Sequence, residues 1–575
     1  MTSIAAALFA LAAAVPTPPR EAGSPADARP LLEYTVRLAD PRERAVEVTA
    51  RFSGLEGEGD AIEVALPESF AFVRLDEPLL DGPVRAAAAL GGRSLPLERT
   101  GPFVWKLSRG GASEATLSWR VPLRHQDLPA VKGRDGYEFP YVRDDHALLT
   151  MGAILLAPKL SREAVARVRF EAPAGWPVLC PWPRRKDGAY EPPSPRDLQD
   201  DLVGLGAWTA RQASVAGMEI DVAFAPGQEK LEEMAGPAIE KIVAAEIALF
   251  GRAPRERYLF LFVAPEPVNG FMFAGSPKSG SMTLQVSGDL GSPVALEMVA
   301  HLVAHEFHHT WAKAGCDLPD ELRFINEGFT DWYALQVPAR CGIVPWERFA
   351  AAFGEKIASY SRAAGAAGLS LADAGGPKFF EGGDAYAAVY AGGLVVAAIL
   401  DLELRRAGKE DGLDGTLRRF VNDERFWPHR RPPTLAEFLD HVESESSRAT
   451  RERIERLVRS PSGFDPVAEL RASGAAIVEA KEAPSPRANF ADGTRVTVLD
   501  PAGEAGQLGV RASDVLRRVN GIDVADPGAI QRAWRETKDG ALSVVLEREG
   551  KTLELRATAP PAPVRYTLDP APWRR

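Results

Sequence analysis

The amino-acid sequence predicts a multidomain α+β protein with an N-terminal antiparallel β-sandwich, a mainly helical middle domain and a small strand-rich domain near the C-terminus. Three observations lead to this prediction. The chain has 575 residues, which is too long for a single hydrophobic core. Its apolar residues alternate with a period of two near the N-terminus, and a helical period replaces this pattern in the middle. The period of two then returns near the C-terminus.

Residues 31–225 contain short alternating segments such as LEYTVRL, RAVEVTARF and ARVRFEA, separated by Gly and Pro. This pattern is typical of half-buried strands and predicts the β-sandwich. Residues 226–463 have a helical period, with the strand patterns RYLFLFVA and SMTLQVSG between the first two helices. After a linker over residues 464–487, residues 488–560 again predict strands around one short helix. We expect residues 561–575 to form a loose, proline-rich tail.

Residues 1–30 are interpreted as a signal peptide followed by a proline-rich linker. The apolar run from Ile4 to Val15 has the length of a secretory hydrophobic core and is too short to span a bilayer. Small residues 12–14 offer a cleavage site, although no Lys or Arg lies near Met1. We therefore predict export to the periplasm or the medium, and we expect no transmembrane segment in the rest of the chain.

The composition narrows the class of protein. With 45% hydrophobic and 26% charged residues, the chain is typical of soluble globular proteins. Its formal net charge of −11 argues against a nucleic-acid partner, which would require a basic surface. The three cysteines are too few for a disulfide framework. Cys316 and Cys341 could pair, but buried free thiols are the interpretation that we favour.

Four of the eight histidines fall within the nine residues 301–309. This window contains HEFHH, which fits the HExxH pattern. Residues four apart lie on one face of a helix, so His305 and His309 can bind one metal ion. Glu306 then points towards water on that ion. Imidazole nitrogens suit Zn²⁺, which keeps a coordination position open for water in catalytic sites.

A second motif, NEGFTD at residues 326–331, lies on the next predicted helix. Glu327 can supply a third ligand, and Asp331, one turn later, can accept a hydrogen bond from a ligand imidazole and so orient the ring. Because two correctly ordered motifs rarely occur together by chance, we predict one zinc ion per chain. His301 and His308 are interpreted as structural, since three ligands already complete the site.

The predicted chemistry is hydrolysis. Zinc lowers the pKa of a bound water molecule and polarises a carbonyl group, while Glu306 accepts the proton of the water as general base. The developing oxyanion needs a second stabilising group. Tyr390, in the segment VYAGG at the start of a long apolar helix, is the best candidate, although a packing tyrosine is the ordinary alternative at such a position.

The segments HEFHHTW, EGFTDWY and YAGGLVVAAILDLELRR together resemble the PDZ-containing glycyl aminopeptidase family of gluzincin zinc metallopeptidases, whose catalytic domain is thermolysin-like. The resemblance covers most of residues 227–460 by motif and the whole chain by domain order. It implies that the three predicted ligands bind zinc and that Glu306 is the general base. It also implies that Tyr390 stabilises the transition state and that Asp331 orients a ligand.

One segment departs from the family pattern. Family members carry a GGLEH-like strand whose glutamate binds the amino terminus of the substrate, whereas this chain has NGFMF at residues 269–273. Gly270 and Met272 are therefore the predicted substrate-binding positions, with Met272 in place of the glutamate. A thioether cannot pair with an ammonium group, and nearby Glu266 is better explained as an exposed loop acid. Aminopeptidase and endopeptidase action both stay open.

Residues 496–524, VTVLDPAGEAGQLGVRASDVLRRVNGIDV, resemble a PDZ domain of the bacterial protease-associated type. PDZ domains bind extended peptides along a sheet edge. The expected partners are therefore a peptide or protein substrate at the zinc site and a peptide ligand at the PDZ domain. A PDZ domain that only packs on the catalytic unit is the alternative.

Two functions follow from these patterns. The first is an exported zinc metallopeptidase that hydrolyses peptide bonds with a zinc-activated water and Glu306 as general base. The second is a catalytically silent peptide-binding protein that uses the PDZ domain and a degenerate cleft. The intact ligand set, Glu306 and Tyr390 favour catalysis, because a binding protein has no need of a water-activating glutamate.

Overall fold

The computed structural model describes residues 29–574, apart from residues 68, 71–72, 75–79, 88–91, 124–137, 264–271, 289, 291–293, 367, 482–484, 500–502, 538–540 and 559–563. The predicted signal peptide, together with most of the linker that follows it, lies outside the described residues. The described chain is a multidomain α+β structure with a β-rich N-terminal domain and a helical domain, which confirms the predicted fold class at that level.

The N-terminal domain consists mainly of short strands. Its elements are β1 (Leu31–Arg37), β2 (Ala45–Ser53), β3 (Ala61–Ala65), β4 (Ser69–Phe70), β5 (Val73–Arg74), β6 (Asp81–Ala87), β7 (Leu97–Arg99), β8 (Val104–Ser108), β9 (Ala115–Pro122), β10 (Tyr141–Val142), β11 (His146–Thr150), α1 (Met151–Ile154), β12 (Ala157–Pro158), β13 (Val165–Glu171), β14 (Val178–Leu179), α2 (Pro195–Asp200) and β15 (Leu202–Gly206).

These strands form three larger sheets, with the orders β13-β1-β2-β9-β6, β12-β3-β8-β7 and β10-β11-β15-β14. Alternation of apolar and polar residues gives β1 a buried face and a partly exposed face. The buried faces share one hydrophobic core. Pairing is mostly antiparallel, as predicted, but β1 and β13 run parallel.

The middle domain contains a mixed sheet and a bundle of helices. Its elements are β16 (Thr209–Val215), β17 (Met218–Phe224), α3 (Glu229–Phe250), β18 (Arg257–Val263), β19 (Met272–Pro277), β20 (Ser281–Ser287), α4 (Ala295–His308), α5 (Thr310–Gly315), a first π-helix (Phe324–Phe329), α6 (Thr330–Arg340), α7 (Trp346–Ala363), α8 (Leu371–Ala374), α9 (Gly383–Ala387), a second π-helix (Ala388–Gly392), α10 (Gly393–Arg406), α11 (Gly412–Val421), α12 (Leu435–Glu445), α13 (Arg448–Arg459) and α14 (Pro466–Ala472).

The sheet of the middle domain has the order β16-β17-β18-β20-β19. Strands β17, β18 and β20 run parallel, and the edge strand β19 is antiparallel to β20. The predicted boundary at residue 225 therefore differs from the structure, because β16 pairs with β17 and β17 with β18, rather than with the N-terminal sheets. Alternation along a strand reveals its buried face but not the sheet that it joins.

The helical stretch over residues 383–406 is, by length and composition, apolar enough to cross a membrane, but 83% of its most apolar part is buried inside the protein. Burial of this kind is typical of a core helix in a soluble domain. Among the described residues, it is the one helix of this length and composition.

The three cysteines are free.

A C-terminal module follows the middle domain. Its elements are β22 (Ala488–Ala491), β23 (Arg495–Leu499), α15 (Glu504–Leu508), β24 (Val515–Val519), β25 (Ile522–Asp523), α16 (Pro527–Arg535), β26 (Ala541–Arg548) and β27 (Lys551–Thr558), and the strands β21 (Ile477–Lys481) and β28 (Val564–Leu568) flank it. Strands β22, β23, β24, β26 and β27 form one sheet in that order, and β25 pairs with β24. This sheet and its two helices have a separate hydrophobic core.

The chain returns to the middle domain after this module. Residues 564–574, which we call the closing segment, contain β28, and β28 pairs with β21 away from the module's own sheet. Trp573 is 1% exposed and packs edge-on against Trp332. The expectation of a loose tail is therefore wrong for these residues, since one buried indole ties them to the core.

Candidate metal centre

Helix α4 presents His305 and the residue that follows the helix, His309, on one face. Their Nε2 atoms lie 3.1 Å apart. The Oε2 atom of Glu327 lies 3.7 Å from Nε2 of His305 and 3.5 Å from Nε2 of His309. All three side chains are buried. The structure thus brings the three predicted ligands together, from two separate helical segments.

The spacing of these atoms fits a metal ion. Ligand atoms bound about 2.1 Å from a tetrahedral zinc ion lie about 3.4 Å from one another. The three measured distances, 3.1, 3.5 and 3.7 Å, scatter around this value. Two imidazoles and one carboxylate are also the ligand types that zinc takes in catalytic sites.

Glu327 is positioned by the first π-helix, which lies against α10. Gly328 and Gly393 make this approach possible: a Cβ atom on Gly328 would lie 2.4 Å from the Cα atom of Gly393. In return, a Cβ atom on Gly393 would lie 2.3 Å from the carbonyl oxygen of Phe324. Any larger residue at either position would push the Glu327 segment away from the helix that follows Tyr390.

Asp331 lies behind the first predicted ligand, His305. Its Oδ1 atom lies 3.5 Å from Nδ1 of His305, longer than an ordinary hydrogen bond, and 3.1 Å from Nε2 of His301. Its Oδ2 atom accepts a hydrogen bond from Lys356 of α7. His301 therefore contacts Asp331. No sequence pattern indicated Lys356, which the structure adds to the site.

The pocket favours positive charge. Burial alone would lower the pKa of His305, but the nearby carboxylates of Asp331 and Glu327 outweigh it and raise this pKa to about 10. Burial alone would raise the pKa of Glu327, yet His309 and His305 hold it well below its usual range. Burial alone would also raise the pKa of the Asp331 carboxyl group, but Lys356 holds it well below its usual range. A bound dication would supply the charge that this environment stabilises.

Glu306 lies beside strand β19. A Cβ atom on Gly275 would lie 2.4 Å from Cγ and 2.9 Å from Oε1 of Glu306, so only glycine permits the strand to pass so closely. Burial raises the pKa of Glu306, and this effect outweighs the attraction of the two ligand histidines. A carboxylate with a raised pKa accepts a proton more readily, as a general base must.

Glu138 of the N-terminal domain contributes to the charge around Glu306. It is fully buried, and it accepts a hydrogen bond of 2.9 Å from Nζ of Lys278, in the turn between β19 and β20. Because no part of Glu138 is exposed, we assign it to the domain interface rather than to substrate contact. This buried ion pair fixes the hairpin that carries Gly275.

Tyr390 lies on the second π-helix, with its ring stacked 5.8 Å from the ring of His305. Burial, reinforced by the nearby carboxylate of Glu327, raises the pKa of the phenol. The hydroxyl group therefore keeps its proton at neutral pH and can donate a hydrogen bond. The family resemblance predicted that Tyr390 lies at the metal site, whereas composition and periodicity alone could not predict it.

The remaining predicted residues have different outcomes. His308 faces away from the ligands, with Nδ1 2.9 Å from Oε2 of Glu246, and its ring stacks on Tyr333. Gly270 lies outside the described residues. The backbone of Met272 begins β19 and pairs in register with Ser287.

Comparison with known proteins finds one matching family model, for the N-terminal domain, and a solved structure with the same fold. Residues 33–206 match the family described as Peptidase M61 N-terminal domain. This match ends where the middle sheet begins, in agreement with the structural boundary. No curated protein sequence matches the chain.

Among solved structures, the chain is similar to an aminopeptidase N family protein from Idiomarina loihiensis, with 17% identity over 94% of this chain and 98% of that chain and a TM-score of 0.74. An M1 zinc metallopeptidase from Deinococcus radiodurans matches 75% of this chain and 93% of that chain, with 16% identity and a TM-score of 0.49. Likeness at this identity establishes the fold, so the chemistry rests on the site.

Proposed function

We propose that this protein is a zinc-dependent metallopeptidase that binds one zinc ion per chain through His305, His309 and Glu327. The observation that carries the proposal is the set of three ligand atoms at tetrahedral spacing beside the buried carboxylate of Glu306. The bound ion would supply Lewis acidity towards water and a substrate carbonyl. The match to a peptidase N-terminal domain supports peptides as the substrate class.

The residues around the ligands have separate roles in this proposal. Glu306 accepts the proton of the attacking water and passes it to the leaving amine. The hydroxyl of Tyr390 donates a hydrogen bond to the oxygen that becomes negative in the transition state. Asp331 holds the ring of His305 in place, and Lys356 holds Asp331.

The position of the cleaved bond depends on what binds the amino terminus of the substrate. An aminopeptidase needs an accessible acid near the metal, and Glu138 is fully buried. An endopeptidase needs no such group. Comparing free and N-acetylated forms of the same peptides distinguishes the two modes, because an aminopeptidase cannot cleave the blocked form.

We further propose that residues 488–560 form a PDZ domain and that the protein is exported. Two helices on a sheet with a separate core support the first proposal, and the apolar run over residues 4–15 supports the second. A catalytically silent peptide-binding protein is the alternative function. It would use the same module but would have no need of Glu306 or a protonated Tyr390.

Replacement of Glu306 by Gln tests the proposal. We expect the variant to keep one zinc ion per chain, measured by elemental analysis, and to lose at least about 100-fold in peptide turnover. Glu297→Gln is the matched control, because Glu297 lies on the same helix and pairs with Arg348 at the surface. Unchanged turnover in the Glu306 variant would refute the mechanism, and a parent protein that binds zinc but cleaves no peptide would favour the silent binding protein.

A further inference from the structure

Three aromatic side chains on segments that adjoin the metal site remain exposed to solvent. Phe380, Tyr386 and Phe273 expose 60%, 41% and 43% of their surface. Among the side chains that the structure describes, they are the aromatic ones with this degree of exposure. Because folding normally buries such groups, apolar side chains that stay exposed around a cleft indicate a binding surface.

Two of the three continue a row of contacting aromatic rings that begins at His305. Tyr390 stacks 5.8 Å from His305, and Tyr386, one helical turn earlier, lies 4.5 Å from Tyr390 between ring centres. Phe379 lies 5.2 Å from Tyr386 and is buried. Phe380 follows at the surface, with its ring centre 5.4 Å from that of Phe379.

Arg323 contacts the two outer rings of this row, Phe379 and Phe380. Its guanidinium lies 4.9 Å from the ring centres of both Phe379 and Phe380, and its Nε atom donates a hydrogen bond to the carbonyl oxygen of Gly375. Arg323 directly precedes the π-helix that carries Glu327. The aromatic surface is therefore attached to the segment that supplies a metal ligand, and it is preorganised rather than loose.

The third aromatic side chain reaches the site from strand β19. Phe273 and Gly275 are two residues apart, so they lie on the same face of the strand, about 7 Å from each other. Gly275 faces Glu306. Phe273 therefore lies on the side of the strand that faces the catalytic carboxylate.

We propose that Tyr386, Phe380 and Phe273 line a subsite for a substrate side chain and that the protein prefers peptides with an aromatic residue next to the cleaved bond. This inference rests on the proposed peptidase function. An aromatic side chain could stack on Tyr386 and cover apolar surface that is now in water, whereas glycine offers no side chain to either wall. The expected preference is thus opposite to the glycine preference that the family resemblance would imply.

A set of peptides tests this subsite. Each peptide has the same alanine-rich sequence with one Phe or one Gly at successive positions, and mass spectrometry identifies the cleaved bond. For Phe next to that bond, we expect kcat/KM to exceed the value for Gly by about tenfold or more. Equal values for the Phe and Gly peptides, with cleavage intact, would overturn the subsite and leave the proposed function standing.

Tyr386→Ala identifies the residue responsible. We expect the Phe/Gly ratio of kcat/KM to fall to about a third of the parent ratio or less, since the substitution removes the stacking face. Ile522→Ala is the control, because Ile522 is exposed in the C-terminal module, and it should leave the ratio unchanged. If Tyr386→Ala keeps the parent ratio, the proposed role of Tyr386 is wrong.

Binding measurements separate recognition from catalysis. In a Glu306→Gln background, dissociation constants for the Phe and Gly peptides can be measured by calorimetry without turnover. Tighter binding of the Phe peptide, lost on adding Tyr386→Ala, would support the subsite. Equal affinities for the two peptides would contradict it. Failure of the parent protein to cleave any peptide would instead refute the proposed function, and this inference with it.

Discussion

Substitution of Gly275 by alanine should impair catalysis while leaving the metal ligands untouched. The added Cβ atom would lie 2.4 Å from Cγ, 2.8 Å from Cδ and 2.9 Å from Oε1 of Glu306. Carbon atoms in ordinary contact are about 3.5–4.0 Å apart. The strand or the carboxylate must therefore move by roughly 1 Å, given this contact distance.

The size of the effect follows from that displacement. A misplacement of about 1 Å at a reacting group can cost about 100-fold in rate, which corresponds to about 2.7 kcal/mol of transition-state stabilisation. We expect kcat/KM of Gly275→Ala to fall by about this factor. Zinc content should stay at one ion per chain, because the three atoms nearest to the new methyl group all belong to Glu306 rather than to a ligand.

The assay compares kcat/KM, zinc stoichiometry and thermal stability of the variant with those of the parent. Gly236→Ala is the matched control, since a Cβ atom on Gly236 of α3 would meet only the side chain of Arg211 at 3.6 Å or more. This control should retain parental activity. A Gly275→Ala protein with parental kcat/KM would show that β19 does not pass Glu306 as closely as described, and the reasoning about this strand would be wrong.

Three further predictions concern single contacts. Tyr390→Phe should lower kcat/KM by about 10²- to 10³-fold with little change in KM, because the variant lacks the hydroxyl that donates to the developing oxyanion; an unchanged kcat would show that Tyr390 has no role in the mechanism. Asp331→Asn should weaken zinc binding by about 10- to 100-fold in a competition assay with a chelator, since the ring of His305 loses its orienting carboxylate; parental affinity would contradict this role. Trp573→Ala should lower the free energy of unfolding by about 3–5 kcal/mol in a denaturant titration, and a loss below about 1 kcal/mol would mean that the closing segment contributes little to the core.

The sequence could predict that the two candidate histidines share one helix face, because this geometry is local. His305 and His309 lie four residues apart, so helical geometry alone places them together. Glu327 needed a second motif, and its approach depends on Gly328 meeting Gly393, a contact between distant segments. No local pattern could reveal that contact.

Other members of the site depend wholly on tertiary structure. Lys356 contacts Asp331 from a different helix. Position 275 requires glycine because the side chain of Glu306, distant in sequence, leaves no room for a Cβ atom there. The boundary near residue 225 failed for a related reason, because β16 and β17 alternate like any strand and only their hydrogen-bond partners assign them to a domain. The proline content of residues 561–575 suggested a loose tail, but a single buried Trp573 outweighs it.

The antiparallel pairing of β21 with β28 has a consequence for protein engineering. Lys481 and Val564 are register partners, so the chain leaves the middle domain and returns to it at neighbouring points. The intervening module is therefore topologically an insertion in a β-hairpin rather than an appendage. A short turn joining Lys481 to Val564 could replace the module and keep Trp573 buried in the core of the middle domain. A stop codon at the same point would also remove this indole from the core.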